Sequence, residues 1–203
     1  MRIAWVLGWA VPETWFAALA RAAFPQAEHG FFAASPMWLG KISATGPWDA
    51  ITGHSLGALL MLKERAAVSR LAPRVTLLAP VLAFPAEAGL GGRIALTQVR
   101  YLTRWLKNDP TAALADFYAR AGMAGCEAGE LNAPAELLQW GLERLMQDRV
   151  EPPLPKGWRG YVGENDPLLD AGELARRDST LTCVAGATHH PEALIRAWRA
   201  DFA

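Results

Sequence analysis

Apolar residues follow two rhythms along this chain. Short, nearly uninterrupted runs at Ile3–Leu7, Ala50–Gly53, Arg74–Ala79, Arg159–Val162 and Leu181–Ala185 alternate with stretches in which apolar positions recur every three or four residues. The runs fit strands buried on both faces, and the second rhythm fits helices with one inward side. Glu13–Phe24 is predicted as a helix with Trp15, Phe16, Leu19 and Ala20 inward. Ser55–Val68 is predicted as another, and Pro191–Phe202 as a closing helix with Ala193, Leu194, Ala197 and Trp198 inward. Glu28–Ala33 reads as a further strand, ending in a loop through Ser35-Pro36. Strand and helix in alternation imply an α/β fold, a mostly parallel sheet flanked by helices.

The alternation stops between about Pro85 and Pro152, where three helical patterns follow one another near 93–107, 110–122 and 133–148. Asn132 is the expected N-cap of the last, with Pro134 in its first turn. A crossover between parallel strands needs only about 10–12 residues, so a span of this length is predicted to be an insertion. Residues 84–152 are expected to form a helical lid on a core made of 1–83 and 153–203. Its place would be over the strand C-terminal ends, where such sheets bind ligands.

With 203 residues the chain can bury one sizeable core. Lys and Arg balance Asp and Glu at 20 each, which argues against general nucleic-acid binding. No apolar run approaches membrane-spanning length, so no membrane partner is expected. Met1-Arg2 followed by Ile3–Val11 resembles a signal core, but Pro12 and Glu13 interrupt it and Trp5 and Trp9 suit it poorly. Cys126 and Cys183 are far apart and form no metal spacing, consistent with a reducing cytoplasm.

The chemistry concentrates where the runs end. Gly53-His54-Ser55-Leu56-Gly57 lies between a strand pattern and a helix pattern, the one context in which G-x-S-x-G has a mechanical meaning. A serine on a sharp strand-to-helix turn presents its hydroxyl to a cleft, and a Cβ on either flanking glycine would collide with the neighbouring strand or helix. Such a serine needs a base, and the base an orienting acid. The strand at Arg159–Val162 runs into Gly163-Glu164-Asn165-Asp166-Pro167, and that at Leu181–Ala185 into Gly186-Ala187-Thr188-His189-His190-Pro191. Ser55, Asp166 and His189 then follow the chain order of sheet-based serine hydrolases, each just past a strand. His189 is preferred to His190, which abuts Pro191 and the helix start, and Asp166 to Glu164 and Asp170 by its place in the turn. His54 is expected to pack rather than react, and His29 carries no signal. The tetrahedral intermediate needs two N–H donors; Leu56, after the nucleophile, and Trp9, in the loop Leu7-Gly8-Trp9-Ala10, are the candidates. No metal or redox cofactor is required.

These motifs resemble the α/β-hydrolases and, within them, the pimeloyl-[acyl-carrier-protein] methyl ester esterases of biotin synthesis. The matching residues are Gly8-Trp9, Gly53 to Gly57, the 84–152 insertion, Gly163 to Asp166, His189-His190-Pro191 and, within the insertion, Gly141-Leu142-Glu143-Arg144-Leu145. The likeness spans most of the chain, but only Gly8-Trp9 and the insertion segment point to the subfamily. Leu7 stands where the family has His, and Ala10 where it has a second Gly. The family's first hairpin strands have no counterpart, so a sheet reduced at its N-terminal side is expected. The resemblance implies a serine carboxylesterase that releases methanol from a pimeloyl chain carried on acyl carrier protein. A general carboxylesterase or acyl thioesterase is the alternative, and a non-catalytic binding protein of the same fold is the alternative of another class.

On a helix from 93 to 107, Arg93, Arg100, Arg104 and Lys107 fall within about 60° of one another, and the segment holds no acidic residue. This stripe would suit the acidic surface of an acyl carrier protein, or it is a solvated face. The chain is expected to act as a monomer on an acyl-chain ester.

Overall fold

The computed structural model describes residues 1–131 and 133–202. Six strands, β1 (Arg2–Val6), β2 (Glu28–Phe32), β3 (Ala50–His54), β4 (Arg74–Leu78), β5 (Arg159–Gly163) and β6 (Leu181–Val184), form one sheet in the order β2-β1-β3-β4-β5-β6. Every pairing is parallel, so every strand ends on the same edge. The strands match the apolar runs to within a residue or so, and no antiparallel hairpin extends the sheet among the described residues.

The crossovers place the helices. Right-handed connections running in opposite directions along a sheet lie on opposite faces. The connection from β1 to β2 through α1 (Glu13–Ala23) runs one way. Those through α2 (Trp38–Thr45), the pair α3 (Leu56–Lys63) and α4 (Arg65–Leu71), and α8 (Ala171–Arg177) run the other. The closing helix α9 (Pro191–Ala200) packs beside α1, where Trp198 meets Trp5 edge-on at 5.3 Å between ring centres and Phe24 at 4.7 Å. Burying these large rings on one face, and the leucines of α3 on the other, supplies the main drive to fold.

Three differences from the sequence reading have local causes. The helix expected over 55–68 breaks at Glu64 into α3 and α4. Leu56 to Leu62 are all buried, as a helix enclosed on every side requires, and the turn comes where Lys63-Glu64-Arg65 reach solvent. Helices α2 and α8 were not expected. The first lies among Pro36, Gly40, Gly46 and Pro47, and the second is only seven residues long, begun by the Asp170 carboxylate accepting the Glu173 N–H at 2.9 Å.

Between β4 and β5 lie α5 (Leu96–Asn108), α6 (Pro110–Ala121) and α7 (Ala135–Gln147). Asp109 starts α6, accepting the Ala112 N–H at 3.0 Å with Pro110 in the first turn. Pro134 occupies the N-cap position of α7; the cap expected at Asn132 lies outside the described residues. Arg93 requires a correction, because it is not on the helix. The chain from Gly92 to Ile94 is extended and bridges to Leu169 and Pro85, and α5 begins only at Leu96, whose N–H is accepted by the Glu87 carboxylate at 3.0 Å. Arg100, Arg104 and Lys107 are on α5 and exposed. Among the described residues, no helix is long and apolar enough to cross a membrane.

Candidate active site

The turn from β3 into α3 holds Ser55 at φ 53° and ψ −116°, a conformation that costs a non-glycine residue about 1–3 kcal/mol. Two close approaches hold it there. A Cβ on Gly57 would stand 2.2 Å from the Val6 carbonyl oxygen at the end of β1, and one on Gly53 would stand 2.5 Å from the Met61 sulfur. The glycines are therefore what lets α3 pack down on the strand ends with Ser55 at its tip.

The loops after β5 and β6 bring the partners. His189 Nδ1 lies 2.8 Å from Asp166 Oδ2, and His189 Nε2 lies 2.9 Å from Ser55 Oγ. An ionised carboxylate only accepts, so Nδ1 carries the proton and Nε2 takes the Ser55 hydroxyl as its donor. This is the tautomer in which His189 can remove a proton from Ser55. Gly163 makes the juxtaposition possible, since a Cβ there would meet the Thr188 carbonyl oxygen at 2.3 Å.

Asp166 is wholly buried. Burial alone would raise its pKa, yet the carboxyl is held below the usual carboxylate value. His189 opposes burial by charge and hydrogen bond, and the Leu168 and Leu169 N–H groups donate to Oδ1 at 2.8 and 3.0 Å.

The neighbours considered for the same roles are engaged elsewhere. Glu164 accepts the Gly186 N–H at 2.8 Å, and Asp170 caps α8. His190 accepts the Glu192 N–H at the start of α9, donates to the Ala124 carbonyl and packs edge-on against Trp15. His29 bridges the Trp5 indole N–H and the Phe24 carbonyl.

The loop after β1 passes against the serine, with a Cβ on Gly8 3.2 Å from that of Ser55. Among the described residues, neither the Trp9 nor the Leu56 main-chain N–H donates to a main-chain oxygen, as groups reserved for an oxyanion require. Ala10, where the resembling family has glycine, takes φ 55°, the left-handed region that glycine enters freely. Its carbonyl accepts the Tyr118 hydroxyl of α6 at 2.6 Å, a tether with no sequence signal because it joins residues more than a hundred positions apart.

The helical insertion covers this loop. The Trp9 indole N–H donates to the Leu138 carbonyl at 2.8 Å, and its ring meets Phe117 edge-on at 4.7 Å. Gly141 allows α7 to come so close, since a Cβ there would stand 2.4 Å from the Trp9 ring. Beside these contacts is a cavity of about 350 Å³, lined among others by Phe84, Val99, Leu102, Trp105, Phe117, Leu142 and Leu168. Ser55 is not part of its lining, but Phe117 meets Trp9, Leu168 belongs to the Asp166 turn, and Leu142 follows Gly141, where an added Cβ would stand 3.2 Å from Leu56. Arg104 and Tyr101 stand on its solvent side, whereas Arg93 donates to the Asp166 carbonyl at 3.3 Å and pairs with Asp170 at 3.7 Å.

No family model matches the sequence, and no curated protein matches it. Solved structures do match. An esterase from Exiguobacterium antarcticum is 11% identical with a TM-score of 0.72, over 100% of this chain and 88% of its own. An alpha/beta hydrolase fold protein from Burkholderia ambifaria is 16% identical at 0.62, over 97% and 89%. The bottromycin epimerase BotH, solved with bottromycin A2, is 16% identical at 0.70, over 100% and 90%. The chain therefore has the α/β-hydrolase fold, and one fold here accompanies different chemistries.

Proposed function

We propose that this chain is a serine carboxylesterase. The reading rests on the hydrogen-bonded line Ser55–His189–Asp166, with the serine in a strained turn. Ser55 Oγ attacks the ester carbonyl while His189 Nε2 takes its proton, and the Trp9 and Leu56 N–H groups hold the oxyanion. His189 then protonates the departing alkoxide, and water attacks the acyl-serine with His189 again as base. Asp166 orients the ring throughout and steadies its positive charge.

The substrate we propose is the methyl ester of a pimeloyl chain on acyl carrier protein, cleaved to methanol and the free acid in the cytoplasm. Three features support it: the resemblance carried by Gly8-Trp9 and Gly141–Leu145, an apolar cavity beside the site, and the exposed Arg100, Arg104 and Lys107 on α5. In this reading residues 84–152 are the lid. Leu7 and Ala10 in the oxyanion loop favour the broader alternative, a general carboxylesterase or acyl thioesterase.

The test compares methyl-pimeloyl carrier protein, acyl thioesters and short p-nitrophenyl esters as substrates. Thioester cleavage with the methyl ester untouched would remove the specific assignment. Failure of a fluorophosphonate to label Ser55 would favour a non-catalytic binding protein. Reversing charge at Arg100 and Arg104 is expected to slow the carrier-bound substrate about tenfold through loss of steering, and to leave a small ester unaffected.

A further inference from the structure

His54 is buried beside the triad, and the reaction proposed above does not use it. It ends β3, immediately before Ser55, with its ring 5.2 Å from that of His189 and 5.9 Å from that of Phe16. His54 Nε2 lies 3.1 Å from the main-chain carbonyl oxygen of His189. A carbonyl only accepts, so Nε2 carries the proton and Nδ1 a lone pair. That lone pair is buried and has no hydrogen-bond partner among the described residues. A Cβ on Gly8 would stand 2.9 Å from it, so the loop after β1 passes close over that nitrogen.

A buried imidazole with an orphaned acceptor is a poor choice for filling space, and phenylalanine or leucine would cost less. What the imidazole adds is one N–H on the main chain of His189. Burial and the neighbouring His189 push the pKa of His54 down to about 3. The ring therefore stays neutral, with its proton on Nε2, even when His189 carries a positive charge.

We propose that His54 is a positioning residue of the reaction: its Nε2–H grips the main chain of His189 and holds that ring between Ser55 Oγ and Asp166 as the imidazolium forms. The proposal rests on the hydrolase reading of Ser55. It gives the residue before the nucleophile a part in the geometry of the base, so that β3 sets both ends of the Ser55–His189 hydrogen bond.

The experiment compares His54→Phe, which fills the space without a donor, with His54→Gln, whose amide nitrogen reaches the position of Nε2. Two quantities are read: kcat and KM on a short p-nitrophenyl ester, and the low-field proton resonance of the His189–Asp166 hydrogen bond. His54→Phe is expected to lower kcat about 100-fold, as misplacement of a reacting group by about 1 Å does, with KM unchanged and the resonance lost to exchange. His54→Gln should keep the resonance and recover most of kcat. Should His54→Phe fail to fold, His54→Asn replaces it, because its shorter amide cannot reach the carbonyl. The proposal is overturned if the variant without the donor keeps both kcat and the resonance, or if it and His54→Gln fall together in step with their melting temperatures. The resonance needs no turnover. If Ser55→Ala kept full hydrolysis, the reading of Ser55 as nucleophile would fail, while the resonance would still report whether His54 holds His189.

Discussion

The strand edge that carries Ser55, Asp166 and His189 and the helical insertion above it are held by different means. At the edge the main chain does the holding. Gly57 lies against the Val6 carbonyl, Gly163 lies against the Thr188 carbonyl, and Asp166 takes two main-chain N–H groups. The helices of the insertion touch the edge through side chains, by the Trp9 indole on Leu138 and the Tyr118 hydroxyl on Ala10. The extended segment before them is tied by main chain as well, the Arg93 N–H to the Leu168 carbonyl at 2.9 Å and the Asp170 N–H to the Gly91 carbonyl at 2.7 Å, beside the Arg93 guanidinium on Asp166. Lys63 and Arg144 meet the buried Asp148 where the insertion returns to the core. Backbone contacts allow one geometry, whereas side-chain contacts can be remade with the elements shifted. In the proposed reaction the edge would supply the fixed chemistry and the helices above it would select what reaches it.

The largest effect should come from the chemistry itself. Ser55→Ala is expected to lower kcat by about 10⁶-fold and Asp166→Asn by about 10⁴-fold, measured on a short ester, with little change in melting temperature for the serine variant. Ser55→Gly would in addition relieve the strain of the turn, which alanine, still carrying a Cβ, does not. A residual rate in Ser55→Ala close to that of the parent would move the nucleophile elsewhere.

Two glycines separate the two modes of holding. Gly57→Ala sets a methyl against main chain that cannot move aside, and about 3 kcal/mol of overpacking should lower the melting temperature by roughly 10 °C. Gly141→Ala meets the Trp9 side chain instead. It should fold with a smaller loss of stability and displace α7 from the oxyanion loop, which is read as a change in kcat and KM for long-chain esters. Equal loss of stability in both would mean that the insertion is as rigidly seated as the core.

Acid should disturb the edge before the insertion. The folded-state pKa of His54 is depressed to about 3, so between its unfolded value near 6.5 and that value the unfolded chain binds the proton and the folded chain does not. Stability from this group is complete above about pH 6.5 and falls by up to about 1.4 kcal/mol per pH unit as pH drops through the window. Asp166 acts in the same direction at lower pH, because its carboxyl also titrates below its ordinary value. Denaturant unfolding from pH 7 to pH 4 should therefore show a slope that His54→Phe flattens.

The same contrast explains what could be read from residue order. Strand runs, the serine turn and the later loops were legible because each is a local pattern tied to one backbone geometry. The choice of His189 over His190 was also legible, since Pro191 marks the helix start that His190 caps. Arg93 was misplaced because angular spacing was carried back through 93–95, where the chain is extended between two other segments and not yet helical. The short helix α2 was hidden by prolines and glycines at its borders. The Tyr118 tether and the hold of His54 on His189 carry no local mark at all, because each becomes visible only when distant segments meet.

The Tyr118 tether gives the smallest expected effect and the finest test of how the insertion acts on the edge. Its hydroxyl is buried with the Ala10 carbonyl, and burial pushes its pKa upward, so it remains a donor. Tyr118→Phe removes that donor and leaves the carbonyl unpaired at a residue whose φ of 55° already carries strain. A loss of about 1 kcal/mol should lower the melting temperature by roughly 3 °C. If the tether also fixes the Trp9 N–H for the oxyanion, kcat should fall about tenfold with KM unchanged, since such donors act in the transition state. Ala10→Gly on the same background removes the strain without restoring the tether. It should therefore recover stability and not kcat. Recovery of both would show that the tether serves only to hold a strained turn, and the helices of the insertion would then influence the oxyanion loop through the Trp9 indole.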